Sequence, residues 1–485
     1  MSWKLKKGLK ALLAREHGAV VKDWGGKASV ALLYPNTYRI GMGNLAVHSL
    51  YRMLNSRPGI VCERAFLPDK RDIAEHARSD TPILSIESQR PLSEFDWIAI
   101  SVSFENDYLN IPGIFEMCRM PIHAEGRGSE MPIVIAGGAA PTLNPLPLSL
   151  IADAVVMGEM EAYVSDLIPL IESQYARQDV FAALDEMNGV LRRSAGFTPL
   201  PAALRPRHVA DLDPIKTQTS IYARDAEFGD MHLIEVERGC PRRCLFCATP
   251  VIYGAHRRRS AAAVIAMVED GIAQRRRMGL IGADILSHPK FAEIAEAIHS
   301  RGATFSPSSV RADAIDEERA RLLAASGHKS VALGVEAGSE RLRKTLAKGL
   351  SDDRLLSSIA TLARAGVTRL RLYFMIGLPD ETDGDIASIA ALASRARDEL
   401  RAAAPRSNRA TSVDLTVTPF VPKPSTPFAG KPFAGEAELK RKVKELRRAI
   451  GKSKGISARF DSIKDARIEW RLANGGADAI ERALE

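Results

Sequence analysis

Three cysteines close together near the middle of the chain are the residues best suited to chemistry. Cys240, Cys244 and Cys247 follow the pattern C-x3-C-x2-C on a loop that Gly239 opens. Three thiolates at this spacing can converge on one face of an iron–sulfur cubane and leave the fourth iron without a protein ligand. A small molecule can chelate that open iron. The motif therefore predicts a reactive metal centre.

The remaining cysteines favour this interpretation over disulfide bonds. Cys62 and Cys118 are far from the group of three and from each other in sequence. An odd number of cysteines with this clustering is typical of a metal site in a reducing compartment. Zinc is the alternative metal, with His232 or His256 as a fourth ligand. Zinc, however, prefers four ligands and usually pairs C-x2-C with a second such pair.

The cysteine motif, with Phe246 before its last cysteine, resembles the signature of the radical S-adenosylmethionine (SAM) superfamily. The resemblance covers roughly residues 231–425. It implies that SAM binds the open iron of a [4Fe–4S] cluster through its amino and carboxyl groups. It also implies that the reduced cluster cleaves SAM to a 5′-deoxyadenosyl radical, which abstracts hydrogen from an unactivated carbon.

A series of β/α units positions the cysteine loop, which directly follows the first predicted strand. Apolar runs and helical patterns alternate from residue 229 to 430 and predict a partial (β/α)6 TIM barrel, whose strand ends carry the chemistry. The predicted strands are Leu233–Val236, Leu280–Ile285, Thr304–Ser306, Ser330–Val335, Arg369–Phe374 and Val413–Thr418. The predicted helices are Ala261–Arg277, Phe291–Ser300, Glu317–Ala325, Asp352–Ala365 and Gly384–Leu400.

The superfamily resemblance implies SAM contacts after the second and third barrel strands. Gly282, Ala283 and Asp284 lie where the family often has Gly-Gly-Glu, whose backbone receives the methionine amino group. Ser309 and Arg311 are similar to family residues that bind the ribose and the carboxylate, for which a guanidinium fork is suited. The alternatives are a plain strand end for the first three and caps of the next helix for the other two.

Three further SAM contacts are implied after the fourth and fifth strands. Glu336 and Ser339 belong to a G-x-E-x-G-S stretch that resembles one found in methylthiotransferases and cobalamin-dependent members of the superfamily. An acidic side chain at a strand end is costly to bury alone, so we expect Glu336 to face the cavity and bind ribose or a basic neighbour. Ile376 lies in a stretch that is near the adenine in relatives; core packing is its alternative role.

The N-terminal part also reads as an α/β domain, doubly wound and Rossmann-like. Its apolar runs suit parallel strands buried on both faces. The runs are Ser29–Leu33, Val61–Phe66, Ile83–Ile86, Trp97–Val102, Ile133–Ala136 and Ala154–Met157, with helical patterns at Leu45–Leu54 and Ile111–Met120. We predict an N-terminal extension (1–27), this domain (28–190), a proline-containing linker (191–228), the barrel (229–430) and a C-terminal helical segment (431–485).

A doubly wound domain before a radical barrel resembles the cobalamin-binding domain of one superfamily branch, including an uncharacterised subfamily. Domains with a histidine lower ligand carry D-x-H-x-x-G after the first strand, where this chain has Asn36, Tyr38 and Gly41. Imidazole ligation of cobalt is therefore unavailable there. Gly137 and Gly138, at a strand end, would let the backbone approach a bulky cofactor. Two interpretations stay open: cobalamin bound without a protein nitrogen, or a domain that keeps only the fold.

Composition bounds the partners and the compartment. The 485 residues are 46% apolar and 26% charged, as in soluble globular proteins. No stretch approaches the roughly 18–20 apolar residues of a membrane span, and no signal-peptide core follows the basic N-terminus. We predict a cytoplasmic protein that receives electrons from flavodoxin or ferredoxin. The net charge of +8 permits nucleic acid, but without an RNA-binding signature we do not favour it.

The specific reaction is open at this stage. The resemblance favours cobalamin-dependent methyl transfer to an unknown substrate. One alternative is a methylthiotransferase-like enzyme, or another enzyme that modifies tRNA or protein, with a vestigial cobalamin domain. Methylthiotransferases carry three cysteines in the N-terminal domain, whereas this chain has Cys62 and Cys118 only. The other alternative is a non-catalytic iron–sulfur or RNA-binding protein.

Overall fold

The computed structural model describes residues 1–173, 175–192, 204–405, 410–451 and 453–485. The chain divides into two compact units, one of residues 1–230 together with 471–485 and the other of residues 231–470. The predicted linker falls partly on Pro199 and Pro201, which lie outside the described residues. Residues 191 and 192 of the predicted linker end the strand Val190–Arg192. Residues 204–228 have no helix or strand and are part of the first unit, held by bridges such as Gly158 to Arg207.

A sheet of six strands forms the centre of the first unit. In chain order the strands are β1 (Ala28–Tyr34), β2 (Ile60–Phe66), β3 (Trp97–Ser101), β4 (Ile133–Gly137), β5 (Ala154–Val156) and β6 (Val190–Arg192). Their order is β2-β1-β3-β4-β5-β6; the first five are parallel, and β6 is antiparallel to β5. The order 2-1-3-4-5 is flavodoxin-like, and such sheets bind ligands outside the carboxyl ends of β1 and β3, where the order reverses. The predicted doubly wound class is confirmed.

Helices accompany these strands, as the helical patterns of the sequence indicate. The α-helices are α1 (Trp3–Leu13), α2 (Tyr38–Gly41), α3 (Leu45–Asn55), α4 (Lys70–Ser79), α5 (Asn110–Met117), α6 (Ala139–Leu143), α7 (Val164–Glu172) and α8 (Arg177–Asp185). Short 3-10 turns lie at Leu92–Glu94, Glu105–Leu109, Ala124–Gly126, Leu146–Leu148 and Met160–Tyr163. The predicted strand Ile83–Ile86 is instead a turn with a single bridge, because Ser85 donates a hydrogen bond to the buried carboxylate of Glu63.

A buried ion network joins the N-terminal extension to this sheet. Arg64 on β2 donates from Nη2 to Glu16 Oε2 at 2.6 Å and from Nε to Glu87 Oε1 at 2.7 Å, and all three side chains are essentially unexposed. Tyr38 also donates to Glu16. Buried charges are tolerated only when paired in this way. The network therefore ties the start of the chain to β2 and to the turn after it.

The second unit contains the barrel strands. They are β7 (His232–Glu235), β8 (Glu237–Arg238), β9 (Arg257–Arg258), β10 (Arg277–Ile281), β11 (Thr304–Pro307), β12 (Ser330–Glu336), β13 (Arg369–Ile376), β14 (Ser412–Pro419) and β15 (Ile456–Phe460). Two parallel sheets, β11-β10-β7 and β12-β13-β14-β15, form a partial barrel, and β8 and β9 form a separate antiparallel pair.

The partial barrel is confirmed, with one strand more than the six predicted. The seventh, β15, lies within the predicted C-terminal helical segment (431–485). Its residues Ile456, Ala458 and Phe460 pack against the barrel core and alternate with Ser457 and Arg459, so that it extends the edge of the sheet. Such a short alternating run between helices gives a weak sequence signal.

Helices cover the outer face of the barrel sheets, where their apolar residues form one core with the strands. They are α10 (Ala261–Gly271), α11 (Phe291–Ser300), α12 (Glu317–Ala325), α14 (Asp352–Arg364), α15 (Asp383–Ala403) and α16 (Glu436–Ile450), with 3-10 turns at Ile285–Ser287 and Ala312–Ala314. The second unit also contains α9 (Thr249–Tyr253), α13 (Glu340–Thr345) and most of α17 (Ile463–Asn474), whereas α18 (Ala479–Leu484) belongs to the first unit. No helix among the described ranges has the length and hydropathy to cross a membrane.

Replacing Arg64 tests the buried network. Arg64→Ala leaves the carboxylates of Glu16 and Glu87 buried without their cation, so we expect the free energy of unfolding of the first unit to fall by about 3–5 kcal/mol. Arg15→Ala, which removes an exposed ion pair with Asp225, should cost no more than about 1 kcal/mol. Urea unfolding followed by tryptophan fluorescence measures both, and equal effects would contradict the assignment.

Candidate functional site

The cysteine loop begins directly after β7 and is framed by the β8–β9 pair. Gly239 opens it with a φ of +77°, and a Cβ there would lie 3.1 Å from the Ala255 carbonyl oxygen, so only glycine suits the position. Cys244 is buried, whereas Cys240 and Cys247 are half-buried. The loop thus presents the three thiols at the carboxyl ends of the barrel strands, where barrel enzymes place their chemistry.

Backbone hydrogen bonds anchor the loop to the second barrel sheet. Leu245 N donates to Leu346 O at 3.0 Å, and Phe428 N donates to Leu245 O at 3.2 Å. Leu245 and Phe246 also pack on a small apolar cluster that includes Leu346 and Phe428. Residues 421–428, a segment after β14 that contains three prolines, therefore help to hold the cysteine loop in place.

The three thiols of the loop suit a cubane cluster, in which each thiolate binds a different iron. No three His, Cys, Asp or Glu side chains in the described part of the chain lie close enough together to hold one metal ion. A cubane demands no such convergence. Burial raises the pKa of the Cys240 and Cys244 thiols, the charge of Cys247 adds to this, and the nearby Arg311 acts in the opposite direction.

Glu237, buried at the base of the loop, joins the β8–β9 pair to the end of β10. Its carboxylate accepts hydrogen bonds from the backbone N–H of Asp284, from His256 Nε2 at 2.9 Å and from Arg258 Nε at 3.4 Å. A Cβ at Gly282 would lie 2.5 Å from Glu237 Cγ, so this close approach needs glycine. The stretch predicted to receive the methionine amino group is therefore held beside the cysteine loop.

The other predicted residues of this sheet are joined by local hydrogen bonds. Ser309 Oγ donates to the Ala283 carbonyl at 3.2 Å, which connects the ends of β10 and β11. The Asp284 carboxylate is buried and accepts from Ser287 Oγ at 2.7 Å and from Arg242 Nε at 3.3 Å. The carboxylate and the backbone N–H of Asp284 are therefore both bonded within the protein, and its carbonyl accepts from Ser287 N at 3.0 Å, which leaves that oxygen one lone pair for a ligand.

Arg311 forms a two-pronged ion pair with Asp313. Its Nε and Nη2 donate to the two carboxylate oxygens at 3.0 and 3.1 Å, and Arg242 of the cysteine loop approaches Asp313 at 3.4 Å. Burial raises the pKa of Asp313, but the Arg311 pair outweighs it and the net pKa lies below the usual value. Arg242 and Asp313 could not be predicted from sequence patterns, because their roles depend on contacts between distant loops.

Glu336 ends β12 in a strained conformation. Its φ is +74°, and the pairing of β12 with β13 shifts between Gly334 and Glu336. Such strain in a residue other than glycine is common at functional sites. Lys348 donates from Nζ to Glu336 Oε1 at 2.8 Å, so the basic neighbour that the sequence analysis considered is present. Lys348 is itself buried, and its charge lowers the pKa of Cys244 against the larger effect of burial.

Ser339 and Ile376 have structural contacts. Ser339 Oγ caps α13 by accepting from Leu342 N at 3.1 Å, and its hydroxyl donates to Asp385. Ile376 is buried in the barrel core, and its carbonyl accepts from Phe420 N at 2.8 Å. Their assignment to SAM stays a prediction, since these contacts account for both residues.

In the first unit, the predicted cobalamin residues lie after β1 and β4. The Tyr38 ring packs on Phe66, and its hydroxyl donates a hydrogen bond to Glu16. The Tyr38 side chain is therefore directed away from the carboxyl edge of the sheet. A Cβ at Gly41 would lie 2.3 Å from the Phe66 ring. Close packing thus explains Gly41, and it applies equally to Gly138 after β4.

Glycines after β4 serve backbone packing. Gly138 has a φ of +121°, and a Cβ there would lie 2.2 Å from the Val102 carbonyl oxygen. At Gly137 a Cβ would lie 3.1 Å from the Val156 carbonyl oxygen. These contacts bring the loops after β3, β4 and β5 together at the carboxyl edge of the sheet.

The buried carboxylate of Asp107, which the sequence analysis missed, lies beside Asn36, beyond the carboxyl ends of β1 and β3 where the strand order reverses. Asn36 Nδ2 donates to Asp107 Oδ1 at 2.7 Å, while Asp107 Oδ2 is buried without a hydrogen-bond partner. Burial raises the pKa of Asp107 to about 6, against the opposing effect of Asn36. Next to it Phe104 is 64% exposed. Unsatisfied buried oxygens are rare, so this one marks a candidate ligand site; its sequence signal was an Asn-Asp pair soon after a strand.

The raised pKa of Asp107 has a consequence for stability. The unfolded chain releases this proton first as the pH rises from about 4 to about 6, so the carboxyl destabilises the native state above that window. We expect Asp107→Asn to stabilise the first unit by about 2–3 kcal/mol at pH 8 and to have little effect at pH 3.5. Urea unfolding at both pH values measures this. Asp23→Asn, at an exposed carboxyl, is the control and should show no such pH difference.

Comparison with known proteins agrees with both units. Residues 46–191 match the family model described as radical SAM proteins, N-terminal, and residues 234–393 match that of the radical SAM superfamily. An uncharacterised protein of Methanocaldococcus jannaschii is 28% identical over 451 residues, which cover 92% of this chain and 88% of that protein. An uncharacterised methyltransferase of Pyrococcus horikoshii is 24% identical over 277 residues, 53% of this chain and 57% of that one.

The fold is shared with a solved structure. The cobalamin-dependent SAM radical enzyme OxsB, with aqua-cobalamin and SAM bound, superposes with a TM-score of 0.51 at 17% identity. The match covers 88% of this chain, which spans 56% of that one. Together with the cysteine loop at the barrel mouth, the two family matches establish the cofactors as a [4Fe–4S] cluster and SAM. The chain therefore belongs to the radical SAM superfamily of enzymes.

Proposed function

We propose that this enzyme is a cobalamin-dependent radical SAM methyltransferase, with cobalamin at the carboxyl edge of the N-terminal sheet. The observation that carries the proposal is a buried oxygen of Asp107 that has no hydrogen-bond partner among the described residues. It lies beside Asn36, beyond the carboxyl ends of β1 and β3, where the strand order reverses. That point is where sheets of this strand order bind their ligands. The fold shared with OxsB and the relation to the Pyrococcus methyltransferase support it further.

In the barrel, Cys240, Cys244 and Cys247 hold the cluster. When bound, the reduced cluster with SAM supplies the 5′-deoxyadenosyl radical that activates a substrate carbon. Glu237 fixes the backbone of Gly282–Asp284, whose carbonyl oxygens each keep a second lone pair that can accept from the methionine amino group of SAM. Lys348 holds Glu336, whose second carboxylate oxygen is left to accept a hydrogen bond from a ligand such as a ribose hydroxyl.

In the N-terminal unit, no residue at the Asn36 loop offers a nitrogen ligand to cobalt. Tyr38 is bound to Glu16 within a buried network. Asn36 and Asp107 place polar groups at this edge, and the exposed ring of Phe104 adds apolar surface for a flat macrocycle. We therefore favour cobalamin bound without a protein nitrogen on its lower face, where it supplies a methyl group, over a vestigial domain.

Two other functions receive less support. A methylthiotransferase carries an auxiliary cluster on three N-terminal cysteines, but here Cys62 and Cys118 are buried thiols whose pKa burial raises. A non-catalytic protein would not need the strained Glu336 and its buried partner Lys348 beside the cluster loop. The radical reaction requires a one-electron donor of the flavodoxin or ferredoxin type, and we place it in the reducing cytoplasm.

Cleavage of SAM tests the radical step. The anaerobically reconstituted full chain should form 5′-deoxyadenosine from SAM with dithionite, and Cys244→Ala should lose the cluster and at least 100-fold of this activity, a loss of about 3 kcal/mol or more. Cys118→Ala, which removes a thiol of the N-terminal unit, is the matched control and should keep the activity. Chromatography of the products measures all three proteins. Identical rates in the wild type and Cys244→Ala would refute the radical mechanism.

Corrinoid retention tests the methyl-transfer step. After anaerobic incubation with hydroxocobalamin and desalting, the protein should keep about one equivalent and show a corrinoid absorption spectrum. Asp107→Ala should lower the retained amount at least fivefold, because it removes the polar group at the sheet edge. Tyr38→Phe should retain it fully. Absence of corrinoid from the wild type would favour the vestigial domain, and loss in Tyr38→Phe alone would move the site away from Asp107.

A further inference from the structure

The concave face of the second barrel sheet is polar and open. Along β12, β13, β14 and β15, residues alternate between the helix-covered core and the opposite face, which we call the inner face. Its residues are exposed or half-buried. They are Ser330, Ala332, Gly334, Glu336, Arg369, Arg371, Tyr373, Met375, Ser412, Asp414, Thr416, Thr418, Ser457 and Arg459.

This composition is unusual for the interior of a barrel. Closed (β/α)8 barrels fill their interior with layers of branched apolar side chains. Here the matching positions carry hydroxyl, charged and small residues, which leave polar groups in contact with water. An interior of this kind does little for stability and therefore calls for a ligand as its explanation.

Arg371 has no partner on the inner face, whereas its neighbours do. Arg369 lies 4.0 Å from Asp414, which also accepts from Ser457 Oγ at 2.6 Å, and Arg459 lies 3.6 Å from Asp461. The guanidinium of Arg371 is exposed and makes no hydrogen bond or ion pair with any residue that the structure describes. Asp414 lies beside Arg371 in the β13–β14 register but bonds to Ser457 and approaches Arg369, so the Arg371 guanidinium stays available to a ligand.

Tyr373 lies two residues further along β13 on the same face, with 37% of its surface exposed. In the register of the sheet, Arg371 lies beside Ala332 and Tyr373 beside Gly334. Ala332 is small and therefore covers little of Arg371, whereas a Cβ at Gly334 would lie 2.7 Å from Glu336 Oε1 and 3.4 Å from Lys348 Nζ. An exposed aromatic ring and an exposed guanidinium on one face form a binding surface for a flat group that carries a negative charge.

We propose that the inner face binds the substrate through an anionic group, a carboxylate or phosphate, at Arg371, with an adjoining planar part against Tyr373. The register places Glu336 beside Phe374, one residue beyond Tyr373 towards the barrel mouth. Arg371 lies deeper, about 7 Å from Tyr373 along the strand. The anionic end of the substrate therefore points into the barrel, and its reacting carbon lies near the mouth with the cysteine loop. The proposal rests on the proposed function, since it concerns the substrate of that reaction.

Binding of anionic aromatic probes tests the inference. The probes are phenyl phosphate and benzoate, which distinguish a phosphate from a carboxylate site, and benzylamine, which has the same ring with a positive charge. Titration calorimetry at constant ionic strength uses the full chain with its cluster reconstituted and SAM present. We expect the anions to bind and Arg371→Gln to raise their Kd at least fivefold. Arg371→Lys should recover part of the loss.

The matched control is Arg364→Gln, which neutralises an exposed arginine on the outer helix α14 and should leave both Kd values unchanged. Circular dichroism confirms that each variant is folded. Equal binding by wild type and Arg371→Gln, or tighter binding of benzylamine, overturns the inference. Corrinoid retention is measured on the wild-type sample. Failure of the wild type to bind either anion while it retains corrinoid refutes this proposal alone, and anion binding without corrinoid retention refutes the proposed function alone.

Discussion

The arrangement of the barrel mouth depends on one buried carboxylate, that of Glu237. A charge in this position must be fully hydrogen-bonded, because burial without partners costs several kcal/mol. The partners that satisfy it come from the end of β10 and from the β8–β9 pair around the cysteine loop. Because this one carboxylate needs all of these hydrogen bonds, it holds the cysteine loop and residues 282–284 together. Gly282 is glycine because nothing larger fits against that carboxylate.

The two units differ in how they pair their buried charges. In the barrel, cationic side chains near the thiols, Arg311 and Lys348, offset the negative charge that thiolates bring, and each is itself paired with a carboxylate. In the N-terminal sheet, Asp107 has no cation and stays partly unsatisfied, at a cost to stability. Natural proteins keep such costs mainly at functional sites. The cations near the thiols are thus paired within the protein, whereas Asp107 has a carboxylate oxygen left to bind a ligand.

Much of the fold followed from local pattern. The predicted helices Phe291–Ser300 and Glu317–Ala325 have the observed bounds, because an apolar face and clear ends fix a helix within its own sequence. The cysteine loop was equally readable. Lys348 and Asp107 were not, since their partners lie on other elements and only the tertiary structure brings them together. The strand expected at Ile83–Ile86 was wrong because the buried Glu63 draws its serines into a turn.

The barrel sheets are separate ladders, with no backbone pairing between β11 and β12 in the described ranges. The cysteine loop belongs to the first sheet but bonds through Leu245 to Leu346 and Phe428, which follow strands of the second. The loop therefore connects the two barrel sheets. Iron bound to its thiols would make the loop more rigid, so metal binding and the contact between the two sheets are thermodynamically linked.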